Sequence, residues 1–203
     1  MAEKKTAGQV AEPTTPAPET AQDPPAAPVA PATVQKEIPL LTEKDIECRV
    51  QSVSRAKTGK VGAVLLLYKD ARVDMRILDQ VFGPGNWQRT HEVINGNLFC
   101  NIDIWDAEKR AWVRKQDVGV ESNTEKEKGQ ASDAFKRAGF NVGIGRELYT
   151  GPFIYVELAD NEFYSEGQQN GRKEVLKCYS NTRFKVTRVA YNDRREIVDL
   201  VIV

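Results

Sequence analysis

A single histidine, His91, leaves this chain no cluster of imidazole ligands. It falls in the polar run WQRTHEV and reads as an ordinary surface residue near a strand start. Three cysteines, Cys48, Cys100 and Cys178, are odd in number and far apart. That spacing makes neither a disulfide framework nor a zinc pattern, and it suits a reducing, cytoplasmic compartment. No apolar run approaches the length of a membrane span, and none follows the first cations as a secretory leader requires. Neither sign of charge prevails, because 29 Lys and Arg balance 29 Asp and Glu. A nucleic-acid partner would therefore need a local cationic groove rather than a globally basic surface.

Proline is scarce after position 39, with only Pro84 and Pro152, while the other eight prolines crowd the beginning. Residues 1–38 are mostly Ala, Pro, Thr and Glu, and hold no aromatic residue. Such a segment cannot bury enough surface to offset the entropy of ordering it, so a disordered tail or tether is expected. It carries Lys4, Lys5 and Lys36 against Glu3, Glu12, Glu19, Asp23 and Glu37, a net charge of −2 that leaves +2 for the remainder. Residues 39–160 are expected to form a core domain, and residues 161–203 a C-terminal β extension of it.

Within the core the hydrophobic period changes several times. Thr42 followed by Asp45, with Ile46 and Val50 four apart, predicts a short helix over 42–53. The run VGAVLLLY, 61–68, predicts a strand, and Tyr68 reads as its buried end. Val73, Ile77, Leu78 and Val81 share a face, so 70–83 predicts an amphipathic helix stopped by Gly83-Pro84-Gly85. Residues 88–95 and 97–105 flank Asn95-Gly96, a strong hairpin signal, and 111–122 adds a third strand. A long helix follows over 123–143, and 152–158, 174–189 and 195–203 read as further strands. The fold class is α+β: an antiparallel β-meander packed on a long helix (a β-β-β-α core), with flanking helices and a C-terminal strand extension.

That long helix ends in SDAFKRAGFNVGIGRELY, 132–149. Ala131, Ala134, Phe135, Ala138 and Val142 form its apolar face, so Lys136 and Arg137 point away from the core. Asp133, four residues before Arg137, is placed for an ordinary exposed ion pair. Lys128, Ser132 and Lys136 follow at intervals of four, a polar row suited to a phosphate backbone. Glycines 139, 143 and 145 allow a tight exit with exposed amides. Spacing alone leaves a solvated helix face and a DNA-binding face both open.

The ordered set DMRILDQVFGPGNW, QDVGVES and SDAFKRAGFNVGIGRELY resembles the single-strand annealing proteins of the Rad fifty-two superfamily, the bacteriophage Sak-like and bacterial DdrA-like members above all. The matching parts are Phe82-Gly83, Gly85-Asn86-Trp87, Asp117-Val118-Gly119 and Lys136-Arg137, within roughly residues 40–160. The resemblance implies a non-enzymatic, cofactor-free protein of DNA recombination and repair. It implies a homo-oligomeric ring or filament that binds single-stranded DNA and anneals complementary strands without ATP, in the nucleoid of a bacterial or phage-infected cell. In the family a basic loop residue and the Lys-Arg pair hold the backbone, which here match Arg55, Lys136 and Arg137. Charge and position add Lys57, Lys60 and Lys128. Eukaryotic members carry a further arginine where this chain has Gly139-Phe140-Asn141, and Arg146 is the candidate replacement. The short segment NTEKEKGQ departs from the family and weakens the case for a second, outer DNA site.

Two other functions compete. Asp103, Asp106, Asp117 and Glu121, with Lys115, are the residue types of a Mg²⁺-dependent nuclease. Strand alternation instead places Asp103 on the face opposite the apolar stripe, exposed to solvent. The Pro-rich tail would serve a non-catalytic interaction module, or dock host or phage recombination and replication proteins, in an extended polyproline conformation.

Overall fold

Thr42 and Asp45 form the capping turn that their spacing predicts, Asp45 Oδ2 accepting from the Thr42 amide at 3.0 Å and hydroxyl at 2.8 Å. The expected helix over 42–53 does not follow it in the computed structural model. The chain leaves instead as strand β1, Glu47–Arg55. Ile46 and Val50 satisfy a helical spacing, and with Cys48 between them a period of two as well, and tertiary pairing decides between the two. The partner is β2, Val61–Tyr68, antiparallel to β1, with Arg49 opposite Leu66 and a bulge between Val50 and Ser52. An isolated helix of that length would be marginal in water.

Helix α1, Ala71–Phe82, begins on Asp70, whose Oδ1 accepts from the Arg72 amide at 2.8 Å. The Asn86 side chain then donates to the Phe82 carbonyl at 2.9 Å. Trp87 Nε1 donates to Asp79 at 2.8 Å, and the Trp87 ring stacks 6.4 Å from Phe135. The Gly-Asn-Trp element thus ties the helix exit to the sheet that follows. That sheet is the expected meander: β3, Trp87–Ile94, β4, Asn97–Asp106, and β5, Ala111–Val118, in the order β3-β4-β5. Helix α2, Lys126–Val142, covers one face of it. Ala134, Phe135 and Ala138 meet Cys100 and Ile102 there, all fully buried, together with Ile77 and Leu78 of α1. The approach is close, since a Cβ on Gly119 would lie 2.1 Å from the Gln130 carbonyl oxygen.

A 3-10 turn, Arg146–Thr150, leads to β6, Ile154–Glu157, which joins β2 on the edge away from β1. β7, Phe163–Glu166, pairs with β8, Val175–Cys178, and β9, Val186–Tyr191, pairs with β10, Ile197–Ile202. The single strand expected over 174–189 is therefore two, and β7 was not anticipated. Val186 is fully buried in the same cluster as Phe135, so β9 and β10 share the main core, while β7 and β8 pack on a second cluster around Ala63 and Leu65. The fold is α+β with antiparallel sheets.

The structure describes residues 37–120, 126–167 and 174–203. The tail expected over 1–38 lies outside them up to residue 36, as does Glu121. Among the described residues no helix is long and apolar enough to cross a membrane.

Candidate functional site

Between β2 and α2 the fold buries an ion pair. Lys69 is 1% exposed and Asp74 0% exposed, and their Nζ and Oδ1 atoms lie 2.5 Å apart. The Lys69 ammonium also sits 4.5 Å from the Phe140 ring centroid and 3.4 Å from the Lys136 carbonyl oxygen. Burial pulls the Lys69 ammonium below its ordinary pKa, and Asp74 only partly restores it. Burial likewise pushes the Asp74 carboxyl up to about 6 against the pull of Lys69. Asp74 Oδ2 accepts no hydrogen bond among the described residues.

Two glycines at the end of α2 and just beyond it, Gly139 and Gly145, make room for this pair. A Cβ on Gly139 would fall 2.1 Å from Asp74 Oδ1. A Cβ on Gly145 would fall 2.6 Å from Lys69 Cε, and Gly145 has φ 77, a left-handed conformation that side chains resist. The sequence pattern suggests an exposed glycine turn. The structure buries Gly139 against the Asp74 carboxylate and Gly145 against the Lys69 side chain.

Above the pair lies a groove of about 600 Å³. Its cationic side chains are Arg49 of β1 and Lys136 and Arg137 of α2, beside the buried Lys69. Arg49 and Lys136 have no ion-pair partner among the described residues, whereas Arg137 lies 3.5 Å from Asp117. The expected Asp133–Arg137 pair does not form, because Asp133 accepts from the Val120 amide at 3.0 Å. Tyr68, Phe140 and Tyr149 also line the groove. Tyr68 is half-buried at the end of β2 and donates to Glu47 at 2.5 Å. That bond and burial push its phenol up to about 12.

The other sequence candidates fall elsewhere. Arg55, Lys57 and Lys60 sit at the turn end of the β1–β2 hairpin, six or more residues from Arg49 along β1, or roughly 20 Å at strand rise. Arg55 lies 3.5 Å from Glu174, and Lys60 lies 2.6 Å from Glu157. Lys57 is exposed in the same turn. Lys128 is exposed in the first turns of α2, two turns before Lys136. Arg146 is not a groove cation. Its guanidinium donates to the Phe140 and Asn141 carbonyls at 2.6 and 3.1 Å, satisfying groups at the end of α2 that the helix itself leaves open.

The strand carboxylates do not converge. Asp103 pairs in register with Arg114, and Asp117 with Cys100, so the two acids lie on opposite faces of the meander. Asp103 is not solvent-exposed, as alternation alone suggests. It is 3% exposed and accepts a two-pronged bond from Arg114 at 2.7 and 3.1 Å. Asp106 accepts from Lys109 in the β4–β5 turn. His91 Nε2 lies 3.3 Å from the Ala131 carbonyl oxygen.

Sequence reasoning missed Arg49 and the Lys69–Asp74 pair. Assigning 42–53 to a helix removed Arg49 from the strand that aims it at the groove. Asp74, on the apolar face of α1 one turn before Ile77 and Leu78, was the legible sign of the buried pair. No protein-family model, curated protein or solved structure matches the chain.

Proposed function

We propose that this protein binds single-stranded DNA by its phosphate backbone and anneals complementary strands without nucleotide hydrolysis, working as a homo-oligomeric ring or filament in recombination and repair. The observation that carries the reading is the groove, where Arg49 and Lys136 stand without carboxylate partners among the described residues, beside Arg137. Unpaired cations on a fixed wall neutralise successive phosphates, release their counterions and give affinity that ignores sequence. The resemblance of the Lys136-Arg137 helix and its flanking elements to single-strand annealing proteins supports the same reading. Annealing requires base edges left free, and backbone contacts leave them so.

The test is the pairing of two complementary labelled oligonucleotides, read by energy transfer, without ATP or Mg²⁺ and across a salt series. Acceleration that fades with salt is expected. In Lys136→Ala with Arg137→Ala the strand affinity should fall roughly tenfold to hundredfold, as two charge-assisted contacts are lost. The slope of log K against log salt should shrink by about 1.4. Unchanged affinity and slope in the folded double variant would remove the groove from the reading.

A further inference from the structure

Tyr149 has little reason to be where it is on grounds of folding alone. It is 71% exposed at the groove wall, and its hydroxyl has no hydrogen-bond partner among the described residues. Its ring meets Phe140 edge to face, with centroids 4.9 Å apart and planes at 67°. Phe140 in turn is fixed beneath by the Lys69 ammonium. The 3-10 turn that carries Tyr149 is anchored at both ends. Buried Glu147 accepts from the Leu41 amide at 2.8 Å, and Thr150 Oγ1 accepts from the Ile197 amide at 2.9 Å. An aromatic ring held in place from behind and open in front loses little entropy when a flat partner covers it.

Resting on the reading of the groove as a single-strand site, we infer that Tyr149 is a stacking platform for one nucleobase of the bound strand. The cations Arg49, Lys136 and Arg137 line the same groove and select a polyanion, so a flat partner reaching Tyr149 is a base attached to that polyanion. Stacking uses the π-face of the base and leaves its hydrogen-bonding edge open. A platform of this kind is compatible with pairing to a second strand, which a hydrogen-bonding reader would obstruct. It adds affinity without adding a phosphate contact, and so without changing the salt dependence.

The experiment compares oligodeoxythymidylate with an abasic strand of equal length, which carries the same phosphates and no bases. Tyr149→Leu keeps apolar bulk against Phe140 and removes the ring, and Tyr149→Phe keeps the ring. Tyr149→Leu should weaken oligodeoxythymidylate binding about 5-fold to 150-fold, leave abasic binding and the salt slope unchanged, and be matched to wild type by Tyr149→Phe. Equal loss on both strands, or no loss on oligodeoxythymidylate, overturns the platform while Lys136→Ala with Arg137→Ala still weakens both. Failure of the wild type to bind either strand overturns the groove reading and the platform with it.

Discussion

The two ends of the β1–β2 hairpin carry similar cations and treat them differently. At the turn end Arg55 and Lys60 face Glu174 and Glu157, each on a neighbouring strand or its approach. At the other end Arg49 faces a groove whose opposite wall, α2, contributes Lys136, Arg137 and, among the described residues, one acid, Asp133, engaged by a backbone amide. Of these cations Arg137 has a carboxylate nearby, Asp117 at 3.5 Å, and Arg49 and Lys136 have none among the described residues. The turn end is solvated and internally neutralised. The groove end is built over a buried lysine and holds an excess of positive charge. A count of Lys and Arg along the chain weights both ends equally, whereas a polyanion meets excess charge at only one of them.

The difference can be broken first at the foundation of the groove. Asp74→Ala or Lys69→Ala leaves the other charge buried and alone, and should cost about 3–5 kcal/mol in chemical denaturation. Lys69→Met combined with Asp74→Leu removes both charges and should return close to wild-type stability. The pH profile of wild type relative to that double variant carries a signed expectation. The Asp74 carboxyl, raised from 3.8 to about 6, contributes stability in full below about pH 4 and loses it as pH rises through about 6. Lys69, lowered from 10.5, regains its contribution only on the alkaline side. The stability difference should therefore pass through a trough near neutrality, and a flat difference would contradict a desolvated pair.

A smaller loss is expected from Gly145→Ala, which combines left-handed strain with a collision at Lys69. The strain alone is worth about 1–2 kcal/mol, and the melting temperature should fall accordingly. Arg49→Ala should leave stability nearly unchanged and weaken single-strand binding roughly tenfold, with the salt slope reduced by about 0.7. The smallest effect belongs to the turn end. Arg55→Ala with Lys60→Ala should barely move either melting temperature or strand affinity, because exposed pairs contribute little and the cations are already neutralised. A loss there as large as in Lys136→Ala with Arg137→Ala would erase the distinction between the two ends.

Much of the architecture was legible because it rests on local period. Asn95-Gly96 between alternating segments specifies the β3–β4 hairpin, and Asn95 and Gly96 both take positive φ there. The face of Ala134, Phe135 and Ala138 specifies which side of α2 is buried. β1 is ambiguous in the sequence because Ile46 and Val50 fit a helical spacing and, with Cys48, a period of two. Of the candidate cations, Lys136 and Arg137 reached the groove, Arg146 became a helix cap, and Arg55 and Lys60 found acids distant in sequence.

By itself, then, the sequence determined the antiparallel meander, the two helices and the placement of Lys136 and Arg137 off the apolar face of α2, since these follow from alternation, turn residues and helical spacing. Only the tertiary structure decided which cations keep their charge available. Partners such as Glu157 for Lys60 and Asp117 for Arg137 lie 97 and 20 positions away, and strand register rather than any local pattern brings them together. The three glycines at the end of α2 show the same division. Their spacing announces a turn, but Gly139 makes room for the Asp74 carboxylate and Gly145 for the Lys69 side chain, both about seventy residues earlier and buried beneath them.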